Sequence, residues 1–410
     1  MPHISKRATQ LPSSPIRKLV DFAIDAEKRG VKVHYLNIGQ PDIQSPPAFW
    51  NAVSRSGIRT LAYSHSAGIL PLRTAISADY RRLNIPVDEN EVLVTTGGSE
   101  ATLMTFLACF DPGDEVIVVE PYYANYSGFA VVAGITLVPI TTHIEEDFAL
   151  PPTSAIEAKL TSKTKGILLC NPSNPTGTVF SPVQLREIAA LAKARDLFLI
   201  VDEVYRDFYY GQEELLSVLQ IEGLDQNAVM LDSASKKFSL CGARVGFLVT
   251  RNAAVHDSAL RYGQARLCSP TLDQLGVAAC LAQTGPDYFA AVRKEYQARR
   301  DIVVSELAKM PGVLCPSING AFYAIVRLPV DDTDKFCEWL VTDFSYDGQS
   351  VLLAPAAGFY ATPGLGKDEV RIAYVLDQDR LRNAMAVLAH ALEAYPGRKP
   401  IARAATTAKV

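Results

Sequence analysis

The 410-residue sequence has no excess of one charge, no Cys-x-x-Cys pair and no long apolar run at its start. Its lysines and arginines number 40 against 44 aspartates and glutamates, a formal net charge of −4, and no basic stripe interrupts that balance. A nucleic-acid partner would therefore meet no complementary field. The seven cysteines (Cys109, Cys170, Cys241, Cys268, Cys280, Cys315 and Cys337) are scattered, so free or buried thiols are expected in place of disulfides or zinc ligands, and no metal is called for. The opening MPHISKRATQLPSSP lacks the apolar core of a signal peptide or a membrane span. A cytoplasmic protein without a membrane partner is expected. No internal repeat is found.

What is present is an ordinary globular composition, 48% hydrophobic and 20% charged, which permits a packed core. The length exceeds what one core usually supports, so two units are expected. From about residue 90 to 250, short apolar runs alternate with helical patterns. Glu115 to Val119, Gly166 to Cys170, Leu197 to Val201 and Ala228 to Leu231 read as buried strands. Pro182 to Arg195 reads as a helix with Ser181 as its N-cap. Such alternation implies an α/β fold with a mainly parallel sheet between helices, whose ligands bind beyond the carboxyl ends of the strands. After about Leu281 the pattern changes to helix (Asp287 to Met310), strand (Gly320 to Val326), helix (Asp334 to Phe344), strand (Val370 to Tyr374) and helix (Asp379 to Tyr395). The expected division is residues 1–45 packing with the smaller unit, 46–285 as the large domain, 286–396 as the small α/β domain, and 397–410 as a mobile tail.

The candidate polar residues cluster just after the strands. In SASKKFSLCGARVGF, Ser233 to Phe247, a lysine stands eight residues before an arginine. Lysine is the side chain that offers a primary amine to an aldehyde cofactor, and arginine with hydroxyl donors suits a phosphate. That pairing points to pyridoxal phosphate. Chemistry alone does not separate Lys236 from Lys237, whereas the spacing Ser-x-x-Lys followed by Gly-x-Arg-x-Gly selects Lys236 with Ser233 and Arg244. VTTGGSEATL, Val94 to Leu103, would aim the N–H groups of Gly98, Ser99 and Glu100 from a helix start toward an anion. In NPSNPTG, Asn171 to Gly177, Asn174 offers an amide donor on a rigid loop. In DEVY, Asp202 ends a strand where a carboxylate could keep a pyridine nitrogen protonated, with Tyr205 as a further donor. Tyr122 and Tyr123 follow another strand and offer a ring to stack. Arg371, among apolar neighbours in EVRIAY, needs an anionic partner such as a substrate carboxylate.

The ordered set LNIGQPD, YSHSAGILPLR, TTGGSEA, PGDEVIVVEPYY, NPSNPTG, DEVY, SASKKFSLCGARVG and EVRIAY resembles the class I/II aminotransferases of the aspartate aminotransferase superfamily, from about Leu36 to the last helix. The resemblance implies PLP fold type I, with a seven-stranded, mainly parallel sheet in the large domain. It implies Lys236 as covalent anchor, Asp202 on the pyridine nitrogen, and Asn174 and Tyr205 on the phenolic oxygen. Gly98, Ser99, Ser233 and Arg244 would hold the phosphate, Tyr123 would stack, and Gly39 and Arg371 would receive the substrate carboxylate. Tyr63 matches the tyrosine that reaches the neighbouring subunit's cofactor, which implies a homodimer. The expected reaction is a ping-pong transfer from an L-amino acid, aspartate by first choice, to a 2-oxo acid, 2-oxoglutarate by first choice. Aromatic or other neutral donors, or a β-lyase on the same fold, are the alternatives. Ser99 stands where some aspartate-specific relatives carry a lysine, and Arg266 is the candidate for a distal carboxylate, reaching across the interface.

Overall fold

The computed structural model describes residues 2–212 and 215–400. Its strands are β1 (Lys32–Tyr35), β2 (Val92–Thr96), β3 (Glu115–Glu120), β4 (Thr136–Thr141), β5 (Thr164–Cys170), β6 (Phe198–Asp202), β7 (Ala228–Ser233), β8 (Val245–Val249), β9 (Tyr323–Arg327), β10 (Gln349–Leu352), β11 (Ala354–Pro355) and β12 (Glu369–Ala373). Seven of them form one sheet in the order β2-β8-β7-β6-β5-β3-β4. The pairs from β4 through β7 are parallel, while β8 runs antiparallel to both β7 and β2.

These strands are apolar on both sides because helices cover both faces. Successive side chains point to opposite faces, and the burial follows that period. Val116, Val118 and Leu168 pack with Ala101, Phe106 and Tyr126 on one face. Ile117, Ile167 and Leu169 pack with Ile76, Leu185 and Val277 on the other. The helix Pro182–Ala194 starts as its sequence predicts, with Ser181 and Gln184 forming a capping box and Pro182 in the first turn.

The reversed strand matters for the site. Because β8 enters the sheet where its neighbours leave it, its first residues pair with their last: Val245 with Thr96 and Gly246 with Ser233. Arg244 thus stands at the same sheet edge as the carboxyl ends of β2 and β7.

The rest of the chain forms a three-stranded antiparallel sheet, β11-β12-β9, and a parallel pair, β1-β10. Leu19, Ala23, Ala26 and Val33 share one apolar core with Val303, Leu340, Val351 and Leu388, so the N-terminal segment packs with C-terminal elements. Gly397 to Lys399, expected within the mobile tail, are instead hydrogen-bonded to the fold. Asp331 N–H donates to Gly397 O at 2.9 Å, Lys399 N–H donates to Pro329 O at 2.8 Å, and Arg398 bridges Val330. Residues 401–410, the remainder of that expected tail, lie outside the described residues. No helix among the described residues is long and apolar enough to cross a membrane.

Candidate active site

A cavity of about 550 Å³ opens at the carboxyl ends of the parallel strands. Of the residues singled out from sequence, Gly39, Gly98, Ser99, Tyr123, Asn174, Asp202, Tyr205, Ser233, Lys236, Arg244 and Arg371 all line it; Glu100, Tyr63 and Arg266 do not.

Lys236 and Lys237 separate cleanly. They sit on the four-residue turn of helix after β7, Ala234–Lys237. Lys236 Nζ enters the cavity and donates to Gly39 O at 2.5 Å, with Cys241 Sγ 3.8 Å away. Lys237 turns to the opposite side and is buried against Asp79 at 2.9 Å.

Asp202 closes β6, half-buried at the cavity wall. It accepts from Tyr126 Oη at 2.7 Å and from Val204 N–H at 3.2 Å. Burial pushes its carboxyl up from 3.8 to about 6, against the opposing pull of the Tyr126 hydrogen bond. No cation forms an ion pair with it among the described residues, and the charge of Lys236 offsets the burial only in part. Tyr205 Oη lies 3.4 Å from Asn174 Nδ2 and 3.0 Å from Tyr323 Oη. Burial holds the Tyr205 phenol well above its usual value, so it remains a donor. Burial likewise raises Tyr123 to about 12.

The anion-binding side combines a helix start with one arginine. Gly98 and Ser99 open the helix Gly98–Cys109 at the cavity wall. Arg244 spends Nη1 on Cys241 O at 3.0 Å and stands beside Gly97. Gly97 has φ 78°, which favours glycine, and a Cβ there would lie 2.1 Å from Arg244 Nη2 and displace that guanidinium. Ser233 Oγ donates to Val245 O at 2.9 Å and accepts from Ser235 N–H at 3.1 Å, tying the lysine turn to β8.

Glu100 corrects the sequence reading. Its N–H donates to Gly97 O at 3.2 Å, and its carboxylate accepts from Thr96 N–H at 2.6 Å. The glutamate folds back to close its own loop, a local capping interaction that takes it out of the anion cradle. Arg266 pairs with that carboxylate at 3.3 Å and donates to Ser269 Oγ at 2.9 Å. Within this chain it is therefore an intrachain bracket, with no contact to the cavity. Tyr63 is 79% exposed and lies on the outer surface.

Arg371, on β12, is 1% exposed. Its Nη1 donates to Asn174 Oδ1 at 3.1 Å and its Nη2 to Asn37 O, while Nε has no partner. The guanidinium lies 4.5 Å from the Tyr323 ring and 5.0 Å from that of Phe359. No carboxylate pairs with it among the described residues. A buried cation without an anion is costly, and this one faces the cavity that holds Lys236.

Several contributors were not singled out from sequence. Tyr126 reaches Asp202 from a helix 76 positions earlier in the chain, and Tyr323 joins Arg371 to Tyr205. Ser235, Cys241 and Arg17 also line the cavity. Only Ser235 and Cys241, inside the lysine motif, carried a local signal.

A family model described as "Aminotransferase class I and II" matches residues 31–388. The chain belongs to that family. An aspartate aminotransferase of Thermotoga maritima is 32% identical over 385 residues, covering 93% of this chain and 97% of its own. Aromatic-amino-acid aminotransferase 2 of Thermococcus litoralis is 28% identical over 390 residues, covering 93% of this chain and 96% of its own. A solved structure of the aspartate aminotransferase from Thermus thermophilus with maleate superposes with a TM-score of 0.86 at 26% identity, covering 96% of this chain and all of that one.

This aminotransferase accordingly has PLP fold type I and depends on pyridoxal phosphate. Its own residues fit the cofactor on chemical grounds. A carboxylate short of a cation, a cradle of helix N–H groups with Arg244, and a cavity-facing lysine amine match a pyridine nitrogen, a phosphate and an aldehyde respectively.

Proposed function

We propose that the aminotransferase transfers the amino group of an L-amino acid, aspartate by preference, to 2-oxoglutarate in two half-reactions at one site. When bound, pyridoxal phosphate supplies an aldehyde carbon that exchanges between amines and a ring that draws electrons from the substrate's Cα. Lys236 would anchor the cofactor and, once released, would take the Cα proton on Nζ and pass it to the cofactor's former aldehyde carbon within the same half-reaction, the reverse transfer serving the other. Asp202 holds the ring nitrogen in its protonated form, and Asn174 and Tyr205 donate to the phenolic oxygen. Gly98, Ser99, Ser233 and Arg244 bind the phosphate, and Tyr123 packs against the ring. Arg371 fixes the α-carboxylate beside Gly39 and so aligns the bond to be broken.

The observation that carries this reading is Arg371, a fully buried arginine with one nitrogen unpartnered and no carboxylate beside it, opening on the cavity of Lys236. The preference for a dicarboxylic donor rests on a second cation. Arg17, which also lines the cavity, is an exposed residue without an ion-pair partner among the described residues. It stands on a segment strapped down by Asn37, whose Nδ2 donates to Ile16 O at 2.7 Å. Neutral or aromatic donors are favoured instead by Ser99 and by the engagement of Arg266 with Glu100.

A panel of amino donors with 2-oxoglutarate, scored for glutamate formed, tests the reading. Arg17→Ala should lower kcat/KM for aspartate at least about tenfold, the worth of one charged hydrogen bond, and leave phenylalanine or alanine unchanged. An equal fall for all donors defeats the dicarboxylate preference, and elimination products in place of glutamate defeat the transferase assignment in favour of a β-lyase. The active unit is proposed to be a cytoplasmic homodimer, because exposed Tyr63 then serves the neighbouring cavity. A fully active monomer in sedimentation would contradict that.

A further inference from the structure

The amine that does not enter the cavity has its own place in the fold. Lys237 is 4% exposed, with Nζ 2.9 Å from Asp79 and 3.5 Å from Asp207. The two carboxylates come from different elements. Asp79 lies on the helix Leu70–Arg82 behind the sheet. Asp207 lies on the single turn Arg206–Phe208 that Tyr205 caps. The ammonium also stands 5.9 Å over the Phe289 ring. One buried cation therefore joins three segments: the turn carrying Lys236, the turn following Tyr205, and a rigid helix beneath both.

We infer that Lys237 is a positioning residue that fixes Lys236 and Tyr205 relative to each other through its ion pairs with Asp79 and Asp207. The surroundings support a clamp more than a passive core lysine. Besides Asp79 and Asp207, Asp232 adds a third carboxylate, itself bound to Tyr80 Oη at 2.7 Å and to Ser233 N–H at 2.6 Å. Arg82 pairs with Asp79 from the surface side, and Arg206 is committed to Glu203. Burial works against the Lys237 ammonium, but the carboxylates of Asp207, Asp79 and Asp232 outweigh it and hold its pKa well above the usual range. It stays charged, so it neither competes for an aldehyde nor leaves the carboxylates without a cation. An apolar residue would pack in the same space without linking the two turns.

The inference rests on Lys236 being the anchor. Lys237→Met, Lys237→Arg and Asp207→Asn are compared as holoenzymes by steady-state kinetics, by thermal melting with and without cofactor, and by pH titration of the bound cofactor's visible absorbance. Lys237→Met should lower kcat at least about tenfold with KM within about twofold. It should also move the absorbance midpoint up by about one pH unit, because unpaired carboxylates near Lys236 favour the protonated form. Lys237→Arg should recover most of both. Asp207→Asn should lower kcat as well and shift the midpoint down, and it decides the matter if Lys237→Met does not fold. Lower melting temperatures with kcat and absorbance midpoint unchanged would overturn the clamp. Failure of borohydride to tag Lys236 would instead overturn the anchor assignment, so the two failures are distinct.

Discussion

Asp202→Asn should stabilise the protein when the cofactor has been removed and destabilise it when the cofactor is present. In the cofactor-free chain the Asp202 carboxyl is pushed by burial from 3.8 to about 6. Well below pH 3.8, folded and unfolded states both hold that proton. As pH rises toward 6 the unfolded chain has lost it while the folded one keeps it, so stability falls with pH; above about 6 the penalty is complete. Two pH units at about 1.4 kcal/mol each give roughly 3 kcal/mol at pH 7.5. Asparagine carries no charge and escapes that term, but it weakens the 2.7 Å hydrogen bond from Tyr126, a loss of about 1 kcal/mol. The net expectation is a variant more stable by about 2 kcal/mol at pH 7.5, with the advantage gone near about pH 4.5 and reversed by up to about 1 kcal/mol below it. Asp232, also raised by burial to about 6, is common to both proteins and cancels. A cationic ring nitrogen reverses the order, since it gives the carboxylate its missing partner and the amide none. Denaturant midpoints of the two cofactor-free proteins at pH 4.5, 6 and 7.5 provide the measurement, repeated with cofactor at pH 7.5. A variant that is less stable at every pH, by an amount independent of pH, would refute the account of Asp202.

Two other substitutions probe separate parts of the site. Gly97→Ala forces a side chain into φ 78° and against Arg244 Nη2 at 2.1 Å; cofactor affinity by fluorescence titration should fall at least about tenfold, the worth of one charged hydrogen bond, and unchanged affinity would remove Arg244 from the phosphate site. Arg371→Lys keeps the charge but loses the fork, so kcat/KM should fall by about 10- to 100-fold for acidic and neutral donors alike. The cofactor spectrum should not change, and a loss confined to acidic donors would move Arg371 from the α-carboxylate to the side chain.

Much of the site could be read from the sequence because the chemistry sits at strand ends. Asn174, Asp202 and Ser233 follow buried apolar runs, and a mainly parallel sheet brings such ends to one edge. The direction of β8 was not legible. Val245–Val249 is an apolar run like the others, and nothing local to it says that it runs backward and carries Arg244 to the same edge. Pairings across long separations were equally hidden. Tyr126 with Asp202 and Lys237 with Asp79 join residues 76 and 158 positions apart, and helix or strand periodicity has no term for them. The backbone N–H of Glu100, read as facing an anion, is instead spent on Gly97 O, a local bond that the glycine pair does not announce. The Glu100 side chain closes back on Thr96 N–H and takes Arg266 with it.

The central claim is that Lys236, and not the neighbouring Lys237, carries the cofactor. Reduction of the holoenzyme with borohydride, followed by peptide mass mapping, tests it directly. The account predicts the cofactor's mass on Lys236 alone, and no covalent tag in Lys236→Ala despite an intact Lys237 held by Asp79. A tag on Lys237, or one that survives in Lys236→Ala, would contradict it.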